Sequence, residues 1–218
     1  MGGKALHTAK APRDWLSLEY HDPVHILRGL REIAIDIGRT STPEAIRNLR
    51  TNSLKPYREG RQAALFCYGL SQRLGTRVRF ALQGRQDHET DAIGFYAIDG
   101  KAFFLPIQIK ELPPAGINPL IALQDVLSKV GTHYAGTTDM IVAIHVNRDV
   151  RIVISELKIP ENIAELWLFG ATDESQNTWF LIGDLISQPG LSTEFSHPGR
   201  TLLIRVQWPH TIPNSGYA

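Results

Sequence analysis

Residues 89–110 read ETDAIGFYAIDGKAFFLPIQIK. Two apolar runs flank Asp99-Gly100, a dipeptide that readily supplies the two positive-φ residues of a tight hairpin turn. A two-residue turn there pairs Ile98 with Lys101, so Asp91 faces Gln108 and Glu89 faces Lys110. All four share one parity and therefore one face of the hairpin. Hydrogen-bonded and non-bonded pairs alternate from 98/101. The 91/108 pair is then expected to be non-bonded, with its Cα atoms only about 4.5 Å apart. Pro106 falls in another non-bonded pair, opposite Ile93. Its missing N–H leaves the hairpin intact and predicts a lost bond or a bulge toward the strand on its other side.

Working outward, residues 57–74 carry helical periodicity and Gly75 supplies a stop. Residues 77–82 read as a first strand, and 89–98 and 101–110 as the hairpin. Asn118-Pro119 is the expected start of a helix ending near Gly131, with an apolar strand at 140–146. Upstream, Asp22-Pro23 opens an amphipathic helix that ends at Gly38, and Ser41 to Glu44 has capping-box spacing for a second helix ending near Asn52. Downstream, strand-like runs occur at 150–155, 165–169, 178–182 and 202–208. The expected fold is α/β: a mixed central sheet with an αβββαβ core flanked by helices, N-terminal helices and a β-rich C-terminal extension. We divide it as residues 1–56 (a helical segment packing on the core), 57–160 (the core) and 161–218 (an extension of the same domain). A parallel strand reached through a helix puts that helix on one face of the sheet and the preceding helix on the other.

The composition is that of a globular protein of 218 residues with a formal net charge of +1. The charge is uneven: residues 1–110 carry +6 and residues 111–218 carry −5. A basic half suits a polyanion, though opposite solvated faces explain the same asymmetry. One cysteine, Cys67, lies in an apolar run and is expected in the core. No apolar run approaches the roughly 20 residues of a membrane span, and the start of the chain has no secretory h-region. A reducing cytoplasm is the expected compartment. No Gly-rich phosphate loop, nucleophile elbow or helical zinc spacing occurs.

The hairpin gathers a carboxylate (Asp91), an amide (Gln108), a cation (Lys110) and a second carboxylate (Glu89) at a strand end. A hard divalent cation would take oxygen from Asp91 and Gln108, with Ile109 offering its backbone carbonyl and Glu89 a further carboxylate. Lys110 would orient water and stabilise charge on a phosphoryl group. The same residues also read as a Glu89–Lys110 ion pair beside an Asp91–Gln108 hydrogen bond, with no ligand.

Thr90-Asp91-Ala92-Ile93-Gly94, a hairpin, and then Ile107-Gln108-Ile109-Lys110 resemble the Asp…(Glu/Gln)-x-Lys signature of the PD-(D/E)xK nuclease superfamily, across roughly residues 57–147. The resemblance implies a DNA endonuclease dependent on Mg²⁺ (or Mn²⁺), with Asp91 and Gln108 binding metal and Lys110 assisting catalysis. Several members add a glutamate on the helix before the meander. Glu59 fits that position, in line with Ala63, Phe66, Leu70 and Leu74 on one helical stripe. Its other reading is an acid complementing the helix dipole. Such nucleases often act as homodimers, and the apolar C-terminal part offers a surface for one. Gln108 stands where Glu is commoner, so a catalytically weak nuclease-like fold that binds nucleic acid or protein is the alternative. Arg58, Arg61, Arg77 and Arg79 are the candidate contacts to a DNA backbone. His133 and Tyr134 follow the crossover helix, and Trp167, Trp179 and Trp208 are expected mainly in packing.

Overall fold

The computed structural model describes residues 12–38, 49–83, 90–134, 137–161, 163–187 and 190–199. Three α-helices and seven strands are defined among them: α1 (Pro23–Gly38), α2 (Lys55–Leu74), β1 (Arg79–Leu82), β2 (Ala92–Ile98), β3 (Lys101–Leu112), α3 (Leu123–His133), β4 (Thr137–Val146), β5 (Ile163–Ala171), β6 (Thr178–Ile182) and β7 (Ser192–Ser196). All seven strands form one mixed sheet, in chain order. The pairs β1/β2, β2/β3, β5/β6 and β6/β7 are antiparallel; β3/β4 and β4/β5 are parallel.

Local chemistry explains most boundaries. The Asp22 carboxylate accepts the Val24 N–H at 2.8 Å, capping α1 with proline in its first turn. α2 ends on Gly75, at φ 64°. Asp99 and Gly100 have φ 52° and 73°, as a tight turn between twisted strands requires. The hairpin register is that expected: Ile98 pairs with Lys101, and the ladder runs unbroken to Ala92 opposite Ile107. Pro106 does not shift it. Instead, pairing of β3 with β4 begins one residue later, at Ile107 opposite Ile141, so the proline sits where no ladder donor is needed.

The sheet separates two cores. On one face, Phe66, Leu70 and Cys67 of α2 pack against Leu105, Ile107 and Ile109 of β3 and Trp167, Phe169 and Trp179 beyond. On the other, Val126, Leu127 and Val130 of α3 cover Leu112, Val142, Ile144, Leu166 and Leu168. β3 is covered on both faces, by α2 over Leu105, Ile107 and Ile109 and on the other face by Trp15 and Tyr20 against Phe104 and by the second core at Leu112, which is why this strand reads as almost continuously apolar. Cys67 is fully buried, and Trp167 and Trp179 are core residues as expected.

Several expectations need correction. The helix anticipated at Asn118-Pro119 starts only at Leu123, with Asp125 reaching back to the Ala122 N–H at 2.8 Å. The intervening residues form turns, because Leu120, at 92% exposure, and Ile117, at 56%, have no core to face. Residues 150–155 are not a strand. β4 already has neighbours on both edges, so Ile152 and Ile154 instead pack onto the α3-side core through irregular backbone and a 3-10 turn at Ile154–Glu156. β2 begins at Ala92 rather than at 89. The strand Ser192–Ser196 was not anticipated, because its only buried residue is Phe195. The helix read at 41–52 and the strand read at 202–208 lie largely or wholly outside the described residues, as does Trp208. No helix among the described residues is long and apolar enough to cross a membrane.

Phe66 is fully buried between Trp167 and Phe169, with ring centroids 6.1 and 5.7 Å away. Truncation by Phe66→Ala is expected to cost about 3–5 kcal/mol in urea unfolding. Ile98→Ala, at the exposed hairpin end, should change stability by about 0.5 kcal/mol or less.

Candidate active site

The site forms where β2 leaves β3. On β3, the N–H groups of residues 103, 105 and 107 point toward β2, and that of Ile109 is next in the series. By then β2 has turned away. Asp91 donates its own N–H to Ile107 O at 2.9 Å, one residue out of step with the 92/107 pair, and its carbonyl accepts from Gln83 N–H at 2.9 Å. This kink swings the Asp91 side chain back along the sheet edge. Its Oδ2 accepts the Ile109 N–H at 2.7 Å and thereby replaces the missing rung of the ladder. The Gln108 side-chain amide donates to the same oxygen and lies 3.5 Å from the Ile109 carbonyl oxygen. Asp91 and Gln108 thus meet, but through a bulge-like kink rather than as the regular non-bonded pair expected.

Glu59 and Lys110 approach from opposite faces. Glu59, half-buried on the first turns of α2, pairs with Lys55 at 3.4 Å. Its charge is felt at Asp91. Burial raises the Asp91 carboxyl above its ordinary value, the Ile109 N–H opposes this, Glu59 adds to it, and Lys110 and Lys55 counteract it. The Lys110 ammonium sits 5.1 Å from the centre of the Tyr134 ring. Tyr134 is buried and packs edge-on against His133, so the last residue of α3 and the one after it form a wall beside Lys110. A cleft of about 860 Å³ opens there, lined also by Ser128, Lys129 and Thr132 of α3. Asp91, Gln108, Lys110 and Glu59 therefore share one neighbourhood. Glu89, the remaining candidate, lies outside the described residues.

The four candidate arginines do not make one patch. Arg58 donates to the Leu49 carbonyl at 3.3 Å, and Arg61 turns to the β5–β6 turn, where it meets Gln176. Arg77 and Arg79 follow the far end of α2, separated from Arg58 by roughly 24 Å of helix. Arg77 pairs loosely with Asp22 at 3.6 Å, and Arg79 is exposed.

Sequence reasoning missed a second polar group, on the α2 face at the C-terminal ends of β3 and β4. Glu111 receives two bonds from Arg50, at 2.9 and 2.7 Å, and one from Asn147 at 2.7 Å. These hold its carboxyl below the ordinary range despite burial. His145 lies flat against Phe169 (5.0 Å) and Trp179 (5.8 Å), and its Nδ1 meets the Gln62 amide at 3.1 Å. Burial pushes the imidazole down to about 3, so His145 is neutral and its Nδ1 accepts the Gln62 N–H. Glu111 was legible only as the residue after Lys110; its partners come from positions 36 and 61 residues distant.

The donor set fits a hard cation, weakly. With the Gln108 amide rotated by half a turn, its oxygen would join Asp91 Oδ2 and the Ile109 carbonyl as a third oxygen, and a cation between them would require Gln108 to draw back from its contact with Asp91. Only one of the three carries a full charge. Among the described residues, no group of three or more His, Cys, Asp or Glu side chains is placed to hold a metal. The chain matches no protein-family model, no curated protein and no solved structure.

A neutral buried histidine makes a prediction about pH. The unfolded chain protonates His145 near its ordinary 6.5 and the folded chain only near 3, so between these values the unfolded state holds more protons. Stability should therefore fall as pH drops from about 6.5. His145→Phe, which keeps the ring stack, should flatten that slope when unfolding free energy is measured against pH.

Proposed function

We propose that this chain is a metal-dependent nuclease that hydrolyses phosphodiester bonds in DNA, with Asp91, Gln108 and Lys110 at its active site and Glu59 in support. The observation that carries the reading is the cluster in which the Gln108 amide and the Ile109 N–H both donate to the Asp91 carboxylate, with the charges of Glu59 and Lys110 acting on it. Asp91, Gln108 and the Ile109 carbonyl would hold Mg²⁺ (or Mn²⁺), which supplies Lewis-acid charge toward a phosphoryl oxygen.

The chain's own groups account for the rest. Asp91 is fixed by backbone bonds on both sides, so its free oxygen, Oδ1, needs little reorganisation to meet a ligand. Lys110, steadied over Tyr134, places a positive charge where a phosphodiester would gain negative charge during attack by water. Glu59, its charge partly offset by Lys55, would orient that water and take up its proton. The cleft along α3, with Lys129 and the hydroxyls of Ser128 and Thr132, gives a DNA backbone room beside Lys110. The αβββαβ arrangement of the superfamily is the frame in which we place α2, β1–β3, α3 and β4.

One observation favours a second reading. Of the described metal-ligand candidates only Asp91 is a carboxylate, and with a neutral Gln108 that set is poor in charge for a divalent ion, as expected of a nuclease-like fold that binds nucleic acid or protein with little or no catalysis. Calorimetric titration with Mg²⁺ and Mn²⁺ separates the two. For a nuclease we expect binding that Asp91→Ala abolishes, and nicking of supercoiled DNA that Lys110→Ala slows about 100-fold or more. No metal binding at millimolar concentration, or equal nicking by wild type and Lys110→Ala, would overturn the nuclease proposal.

A further inference from the structure

Arg61 and Glu59 are two residues apart on α2, and so point about 200° away from each other around the helix. Glu59 looks to the notch between β2 and β3; Arg61 looks to the turn joining β5 and β6. That turn is rigid. The Asp173 carboxylate accepts the N–H groups of Asn177 (3.1 Å) and Thr178 (2.8 Å) and the Ser175 hydroxyl (2.6 Å), and Gln176 adopts φ 55°. It presents two amide oxygens side by side: Gln176 Oε1 holds Arg61, and Asn177 Oδ1 holds Arg31 of α1.

The two arginines border a cavity of about 380 Å³ whose other wall is the apolar side of α1, with Leu27, Leu30 and Ala34. Each guanidinium has five N–H donors, and the bond each makes to the turn goes to a neutral amide. Arg31 and Arg61 both line this cavity. Arg50, the nearest further cation, is already engaged by Glu111. Of the turn's two acids, Asp173 is consumed by the turn itself and Glu174 is exposed. Burial, Arg31 and Arg50 lower the Arg61 pKa while Glu111 opposes them, and Arg31 and Arg61 add to the burial that pushes His197, on the same cavity, down to about 4. Two guanidinium groups held side by side on neutral amides are stabilised by an anion, and phosphate matches their planar forks.

We propose that this cavity is a binding site for a small organic phosphate, its anionic head on Arg31 and Arg61 and its apolar body along Leu27, Leu30 and Ala34 of α1. The volume lies within the range of small-ligand sites. The site is independent of the nuclease reading, because it uses the opposite side of α2.

Inorganic phosphate, AMP and a short DNA duplex are the probes, titrated by calorimetry against the full chain, wild type and variant. We expect AMP to bind more tightly than inorganic phosphate. Arg31→Gln, at the cavity mouth, should weaken AMP about tenfold or more. Arg61→Gln should do the same, and circular dichroism of both variants tests that they fold. Asp91→Ala should leave AMP binding unchanged, which distinguishes this site from the notch. Failure of AMP and phosphate to bind at millimolar concentration would overturn the proposal. So would AMP binding indifferent to Arg31→Gln, or binding of duplex DNA alone.

Discussion

The hydrogen bond from the Ile109 N–H to the Asp91 carboxylate is the constraint on which the candidate site depends. A strand that loses its neighbour partway along must satisfy the exposed backbone donors in some other way, because an unpaired buried N–H is expensive. Here β2 departs while β3 continues for five more residues, through to Leu112. A side-chain carboxylate takes over the ladder at the first vacant rung. That substitution places a charged oxygen in the plane of the sheet, reachable from both faces, and fixes it against Gln108 and Ile109. Glu59 can then act from the α2 side and Lys110 from the α3 side.

Two other features of the fold support this notch. Pro106 coincides with the start of the β3–β4 ladder, so β3 switches from an antiparallel partner to a parallel one without a shift in register. Alternation along β3 then sends Ile107 and Ile109 into the α2-side core and Gln108 and Lys110 toward the α3 side. The Arg50–Glu111–Asn147 group closes the C-terminal end of the same strand, so the residues flanking the site, 107 to 112, are anchored on both sides. The backbone around Asp91 is correspondingly rigid, and a group that is to bind a ligand repeatedly benefits from such preorganisation.

The hairpin was legible because turn chemistry and parity are local: Asp99-Gly100 fixes the register as far as Ala92 opposite Ile107, which carries position 91 to the neighbourhood of 108. The stripe from Glu59 to Leu74 was legible for the same reason, since helical period is written in consecutive residues. Three kinds of feature were not. The start of α3 depended on whether Ile117 and Leu120 had anything to pack against, and they do not. The apolar run at 150–155 packs as irregular chain because β4, the strand before it, already has neighbours on both edges. The polar group around Glu111 and the arginines around Gln176 are assembled from distant segments, and nothing in the local pattern at Arg50, Gln62 or Arg61 marks them. The kink at Asp91 is a smaller case: the sequence predicts that the two side chains meet, and only the departure of β2 decides how.

Amide hydrogen exchange at Ile109 tests the central claim directly. If the Asp91 carboxylate replaces the missing rung, the Ile109 amide is protected in the wild type and exchanges about tenfold faster or more in Asp91→Ala, while the Leu105 amide, paired with β2, is unchanged. An Ile109 amide that exchanges equally fast in both proteins would contradict the account.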